Sequence, residues 1–272
     1  MKHYLPKPIV RDVEVQKKYN WKVALTILVL FIASSIVNIP FSKEIRRLKL
    51  EPGEIDPKLS EPILETILAI GLTSAGLSSV FILLGLFASR KTHLGAPRLT
   101  ALFSKERLSI YFNKKIVLSS IFIAVTAAIL LLGLIEIQKE FHPVIAKYER
   151  PSKVFYILGA FVAAVSEEVL FRLGIMSIII SLIRYLKGIE KPSNAMYWTG
   201  IIISSILFGL MHIPMSSNFV ELTIFTVSAT MIGNLITGTT FGFIFWRWGL
   251  LNAMFAHFIF DIVFHVIGSP FN

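Results

Sequence analysis

A few ionisable side chains stand inside stretches of this sequence that are otherwise strongly apolar. Two adjacent carboxylates, Glu167 and Glu168, are followed by Arg172 in the run Ala160–Arg172. His212 closes Leu207-Phe208-Gly209-Leu210-Met211, just before Pro214. His257 and Asp261 stand four apart, and His265 lies four further on. An ionisable group near the centre of a bilayer costs about 2.5–3.5 kcal/mol on insertion scales, so each one demands a partner or a purpose. A carboxylate base, two imidazoles and an orienting acid inside a membrane are the parts for activating water against an amide carbonyl.

Helical geometry separates their duties. Glu168 and Arg172, at i and i+4, can face one another as a structural charge pair. Glu167 projects about 100° away from Glu168, which leaves it freer to reach a cavity and act as general base. His257 and Asp261 share a face, so the acid can orient the imidazole, and His265 continues the stripe. Each group also has a plainer reading: a lone buried glutamate is structural, His212 caps a helix end or sits at the interface, and His257, Asp261 and His265 form a polar seam between helices.

The trio Glu167, His212 and His257 also suits zinc, since two His and one Glu with an open position is a catalytic arrangement. No H-E-x-x-H is present to set two ligands on one helical face. No metal is therefore assigned from the residues. The glutamate route requires no cofactor, and zinc is the open alternative.

The elements that must position these groups are long apolar helices. A bilayer core about 30 Å thick asks for roughly 20 apolar helical residues per crossing. Trp21–Ile39, Thr66–Ser89, Ile116–Ile135, Tyr197–Ile213 and Leu250–Gly268 meet that requirement. Val154–Tyr185 exceeds one untilted crossing, and is either one long helix or two that break near Gly174. Glu221–Trp248 carries Gly233, Gly238 and Gly242, with the Gly238-to-Gly242 spacing suited to close helix packing. The expected fold is all-α, a polytopic membrane bundle of seven or eight transmembrane helices in a single membrane domain, residues 1–272.

Composition agrees. Hydrophobic residues make up 54% of the chain and charged ones 16%, too apolar for an ordinary soluble domain of this length. The absence of cysteine excludes disulfides and thiolate chemistry. The net charge of +10 sits in short segments between apolar runs, as topogenic charge does, so no nucleic-acid partner is expected. Lys2, Lys7, Arg11, Lys17 and Lys18, and the Arg90–Lys115 loop, place both regions in the cytoplasm by the positive-inside rule, whereas Lys43–Glu61 balances its charges. No removable signal peptide is apparent, which predicts an uncleaved chain. Trp246-Arg247-Trp248 reads as an interfacial anchor.

At its charged residues the sequence resembles the CAAX protease and bacteriocin-processing family, also called the Abi family, which includes the eukaryotic type II CAAX prenyl endopeptidase. The motifs Glu-Glu-x-x-x-Arg, Phe-x-x-x-His and His-x-x-x-Asn or Asp read here as Glu167-Glu168-Val169-Leu170-Phe171-Arg172, Phe208-Gly209-Leu210-Met211-His212 and His257-Phe258-Ile259-Phe260-Asp261, in that order. The resemblance covers about residues 154–268. It implies an eight-helix bundle with a water-filled conical cavity, in which Glu167 activates water with help from His212, and His257 with Asp261 forms the oxyanion site. Glu168 and Arg172 support them. The CAAX-cleaving enzymes carry asparagine at the last position, where an ionised Asp261 can only accept a hydrogen bond, so the sequence is closer to the broad prokaryotic branch.

The expectation is thus an intramembrane endopeptidase of a prokaryotic plasma membrane, with a cytoplasmic N-terminus. Its partners would be the lipid bilayer and a peptide or prenylated peptide cut near its C-terminus. The competing readings are a non-catalytic membrane scaffold or bacteriocin immunity protein of the same fold, and a transporter whose buried charges line a path.

Overall fold

The computed structural model describes residues 5–9, 12–104, 113–144 and 147–270. Among them there are helices and turns and no strand. Lys2 and Arg11 of the basic N-terminal segment, and Lys105 and Arg107 of the basic loop, lie outside the described residues.

Polar caps start the helices where apolar runs begin. Helix α1 (Val13–Val37) opens on Asp12, whose carboxylate accepts from the Glu14 and Val15 backbone N–H groups. It runs through Asn38 into α2 (Ile39–Leu48), whose Arg46 pairs with Asp56 at 3.1 Å. Asp56 caps the single turn α3 (Pro57–Ser60). Helix α4 (Ile63–Thr92) is followed by short α5 (Pro97–Ser104) and by α6 (Lys114–Phe141), capped by Asn113. Helix α7 spans Lys153–Leu186, and α8 covers Asn194–Ser216. Helix α9 (Ile224–Trp248) opens on a reciprocal cap between Thr223 and Thr226, and α10 spans Leu250–Gly268.

Among the described residues seven helical segments are long and apolar enough to cross a membrane: Val13–Leu48, α4, α6, α7, α8, α9 and α10. The protein is an integral membrane protein. Large apolar side chains point outward where lipid would lie: on α4 these include Leu68, Leu72, Leu83 and Phe87, each more than half exposed. With seven such segments, the two-helix reading of 154–185 is not what forms. Instead α7 continues through a π-helical stretch, Glu168–Met176, which absorbs the irregularity near Gly174 without a break.

Helix α7 is the centre of the bundle and touches α1, α4, α8 and α10; α10 also packs on α6 and α9. Helices α8 and α9 lie together along their lengths. A Cβ at Gly238 would come within 2.6 Å of Ser205, and one at Gly242 within 3.1 Å of Ile201, so the paired glycines expected to favour close packing do so against α8. Helices α9 and α10 are joined by Gly249 alone, at φ 85°, a left-handed value that glycine adopts without penalty. The Leu250 N–H at this corner donates to the Gly95 carbonyl, and the Ile9 N–H to that of Arg247. Trp248 departs from the anchor expectation: it is fully buried, while Trp246 stacks on Tyr197 at 4.8 Å.

Candidate active site

The ionisable groups that lie far apart in the sequence come together on α7, α8 and α10. Glu167 stands 14 residues from Lys153 and 19 from Leu186, about 21 and 28 Å along the axis at 1.5 Å per residue, so it is deep from either end. Its two carboxylate oxygens face two imidazoles: Oε1 is 4.0 Å from His212 Nε2, and Oε2 is 3.7 Å from His257 Nε2. The Glu167 and His212 side chains keep 19% and 21% of their surface accessible. The rest of the cluster is closed off, with Glu168 and Arg172 at 0%.

The hydrogen-bond partners fix each ring. His212 Nδ1 donates to the carbonyl of Phe208, one turn back on its own helix, at 2.9 Å. Its neutral form therefore presents the Nε2 lone pair to Glu167. His257 Nδ1 donates to Glu168 Oε1, also at 2.9 Å. The Phe241 ring lies flat against the His257 imidazole, centroids 4.3 Å apart and 14° from parallel. Asp261 Oδ2 is 3.6 Å from His257 Nε2.

Glu168 thus does two things. Its Oε2 is 3.5 Å from Arg172 Nε, the pair that i,i+4 spacing predicts, and its Oε1 holds a ring on another helix. The acid that holds His257 at Nδ1 is Glu168, from 89 residues away; Asp261 sits at the other nitrogen, together with Glu167. Periodicity within α10 points to Asp261 alone, and no pattern within one helix could reveal the cross-helix partner. The π-helical turn begins at Glu168. Its wider turn brings residues four apart almost into line, and such turns recur at functional sites.

Arg172 completes the inner layer. Its guanidinium carbon lies 5.1 Å from the Phe208 ring centroid and 6.0 Å from those of Phe171 and Phe241, so three ring faces take the place of water around a buried cation. The expected continuation of the polar stripe to His265 does not reach this cluster. That ring stacks on Tyr156 at 5.5 Å, while Tyr156 accepts a 2.8 Å hydrogen bond from Arg150.

Among the described residues no group of three or more His, Cys, Asp and Glu is arranged to hold a metal ion.

The fold and cluster define a polytopic helical membrane protein with a buried carboxylate–imidazole centre. Residues 150–263 match the Type II CAAX prenyl endopeptidase Rce1-like family, and this stretch of the chain is a domain of that family. It holds Glu167, Glu168, Arg172, His212, His257 and Asp261. The family points to an intramembrane endopeptidase. No curated protein and no solved structure matches the chain.

Proposed function

We propose that the protein is a glutamate-dependent intramembrane endopeptidase that hydrolyses a peptide bond near the C-terminus of a lipid-associated or membrane peptide. The observation that carries this reading is the placement of the Glu167 carboxylate between the two Nε2 atoms. A gap of 4.0 Å between Glu167 Oε1 and His212 Nε2 is too long for a hydrogen bond and suits one water about 2.8 Å from each. That water donates one hydrogen to the carboxylate and the other to the imidazole lone pair.

Glu167 takes the proton as the water oxygen bonds to the carbonyl carbon of the scissile amide. Negative charge moves to the carbonyl oxygen, where His257 Nε2–H donates to it. Because Nδ1 already donates to Glu168, His257 acts here as the imidazolium, with Glu168 and Asp261 supplying the compensating charge. Collapse of the tetrahedral intermediate breaks the C–N bond. The proton held on Glu167 passes to the leaving nitrogen, which departs as an amine, and the hydroxyl proton left from the water passes to His212 Nε2, so that the other product is a carboxylate. Arg172 positions Glu168 and through it the imidazole. No step passes through a metal.

Several features support the setting. Among the described residues, basic side chains concentrate at one end of the bundle, in 12–22, 90–104, 113–115 and 184–191, and those at the other end are balanced, which favours a cytoplasmic N-terminus. The partly accessible Glu167 and His212 side chains leave the centre open to an approaching peptide.

The test is cleavage by the purified protein in detergent or liposomes, against farnesylated and unmodified peptides, read by mass spectrometry. Wild type is expected to release a C-terminal fragment. Glu167→Gln is expected to lower the rate about 10²–10⁴-fold, the usual contribution of a general base. Chelator treatment is expected to leave the rate unchanged. No cleavage of any peptide by the wild type, or full activity in Glu167→Gln, overturns the reading.

A further inference from the structure

We propose that Asn234, on α9, is a further catalytic residue, whose side-chain amide donates a hydrogen bond to the carbonyl oxygen of the scissile bond. The inference rests on the hydrolytic reading above and adds a fourth helix to the site.

Position comes first. Gly209 lies three residues before His212 on α8, and a Cβ built there would stand 3.3 Å from Asn234 Cβ and 3.0 Å from Met231 Sδ. Helix α9 therefore packs closely on α8 one turn from His212, where residues three apart are neighbours about 5–6 Å apart. The His212 ring is folded back toward that level by its bond to the Phe208 carbonyl. Seven residues along α9 from Asn234, two turns and so on the same face, Phe241 lies flat on His257. One face of α9 thus runs from Gly209, three residues before His212, to contact with the His257 ring, and Glu167 stands between the two imidazoles.

The chemistry follows from what the side chain does there. One amide hydrogen of Asn234 is given to the Thr230 carbonyl at 2.9 Å, which fixes the rotamer. The amide has a second hydrogen to donate, and no other hydrogen bond of this side chain forms among the described residues. The side chain is part-buried, so a donor there is poorly screened by water. The cluster otherwise holds three carboxylates, acceptors when ionised, two imidazoles, and Arg172, which is wholly buried against Glu168. A neutral amide stabilises a developing oxyanion without adding charge and does not titrate. Asp261, when ionised, cannot supply that donor; Asn234 can.

The experiment compares wild type, Asn234→Ala and the isosteric Asn234→Asp in two readouts. One is cleavage of a farnesylated peptide; the other is affinity for that peptide and for its phosphonate isostere, a tetrahedral anion. Expected for Asn234→Ala is a fall of about 10²-fold in kcat with KM within twofold, and a matching loss of phosphonate affinity while the parent peptide binds as before. Asn234→Asp is expected to fare no better, and it poses the same question should the alanine variant fail to fold. Unchanged kcat, or equal losses for phosphonate and parent peptide, overturns the proposal. Should wild type cleave nothing, the hydrolytic reading fails by itself. Phosphonate binding then decides the donor role separately: a selective loss in the variants keeps it, and equal binding, or none by wild type, rejects it.

Discussion

Glu167 and Glu168 are identical in chemistry and adjacent in sequence, yet their surroundings assign them opposite consequences on neutralisation. Glu168 is wholly buried between Arg172 and His257. Removing its charge strands a buried guanidinium, and breaking a buried pair in this way costs about 3–5 kcal/mol. Glu168→Gln is therefore expected to lower the unfolding temperature sharply and to cut activity through a loosened His257. Glu167 is partly open and makes no direct hydrogen bond within the described residues. Glu167→Gln is expected to leave the unfolding temperature nearly unchanged while slowing cleavage about 10²–10⁴-fold. Thermal unfolding in detergent, run beside the peptide assay, separates the two. The Glu168–Arg172 pair is legible in the sequence, because i,i+4 spacing is local geometry. The bond from Glu168 to His257 is not, because helical periodicity says which residues share a face and nothing about which faces meet.

At the scale of the element, the apolar runs locate every long helix, and the Gly238-to-Gly242 spacing locates a close contact. The π-helical stretch in α7 escapes a reading based on 3.6 residues per turn. It explains why a segment too long for one crossing neither breaks nor splits. The glycines offer a sharp test of packing against propensity. A methyl at Gly238 meets Ser205 at 2.6 Å, whereas one at Gly76 meets nothing within 4 Å. Gly238→Ala is expected to destabilise by about 1–3 kcal/mol through overpacking. It should also slow cleavage, since it pushes α9 from the helix that carries His212. Gly76→Ala is expected to be neutral or to stabilise by up to about 1 kcal/mol, the helix propensity difference. Unfolding midpoints of the two variants in one detergent give the comparison.

Seven crossings put the two ends of the described chain on opposite sides of the membrane, and the chain's lack of cysteine makes that easy to examine. Lys187→Cys and Lys58→Cys, both at exposed positions, are expected to react with a membrane-impermeant thiol reagent from opposite faces. In intact cells only the Lys58→Cys variant should label. Membership of the bundle was readable from hydropathy and charge, but Trp248 was not readable as a core residue, because an aromatic beside an arginine looks the same whether it meets headgroups or helices. The single-residue corner at Gly249 bears on how the molecule comes into being. Two of the four side chains assigned to the proposed chemistry of the charged cluster, His257 and Asp261, follow that corner and reach the centre only when α10 folds back beside α9. A nascent chain that has inserted α1 to α9 holds Glu167, His212 and Asn234 without the His257 imidazole. On the hydrolytic reading, competence then waits for the α9–α10 hairpin to close.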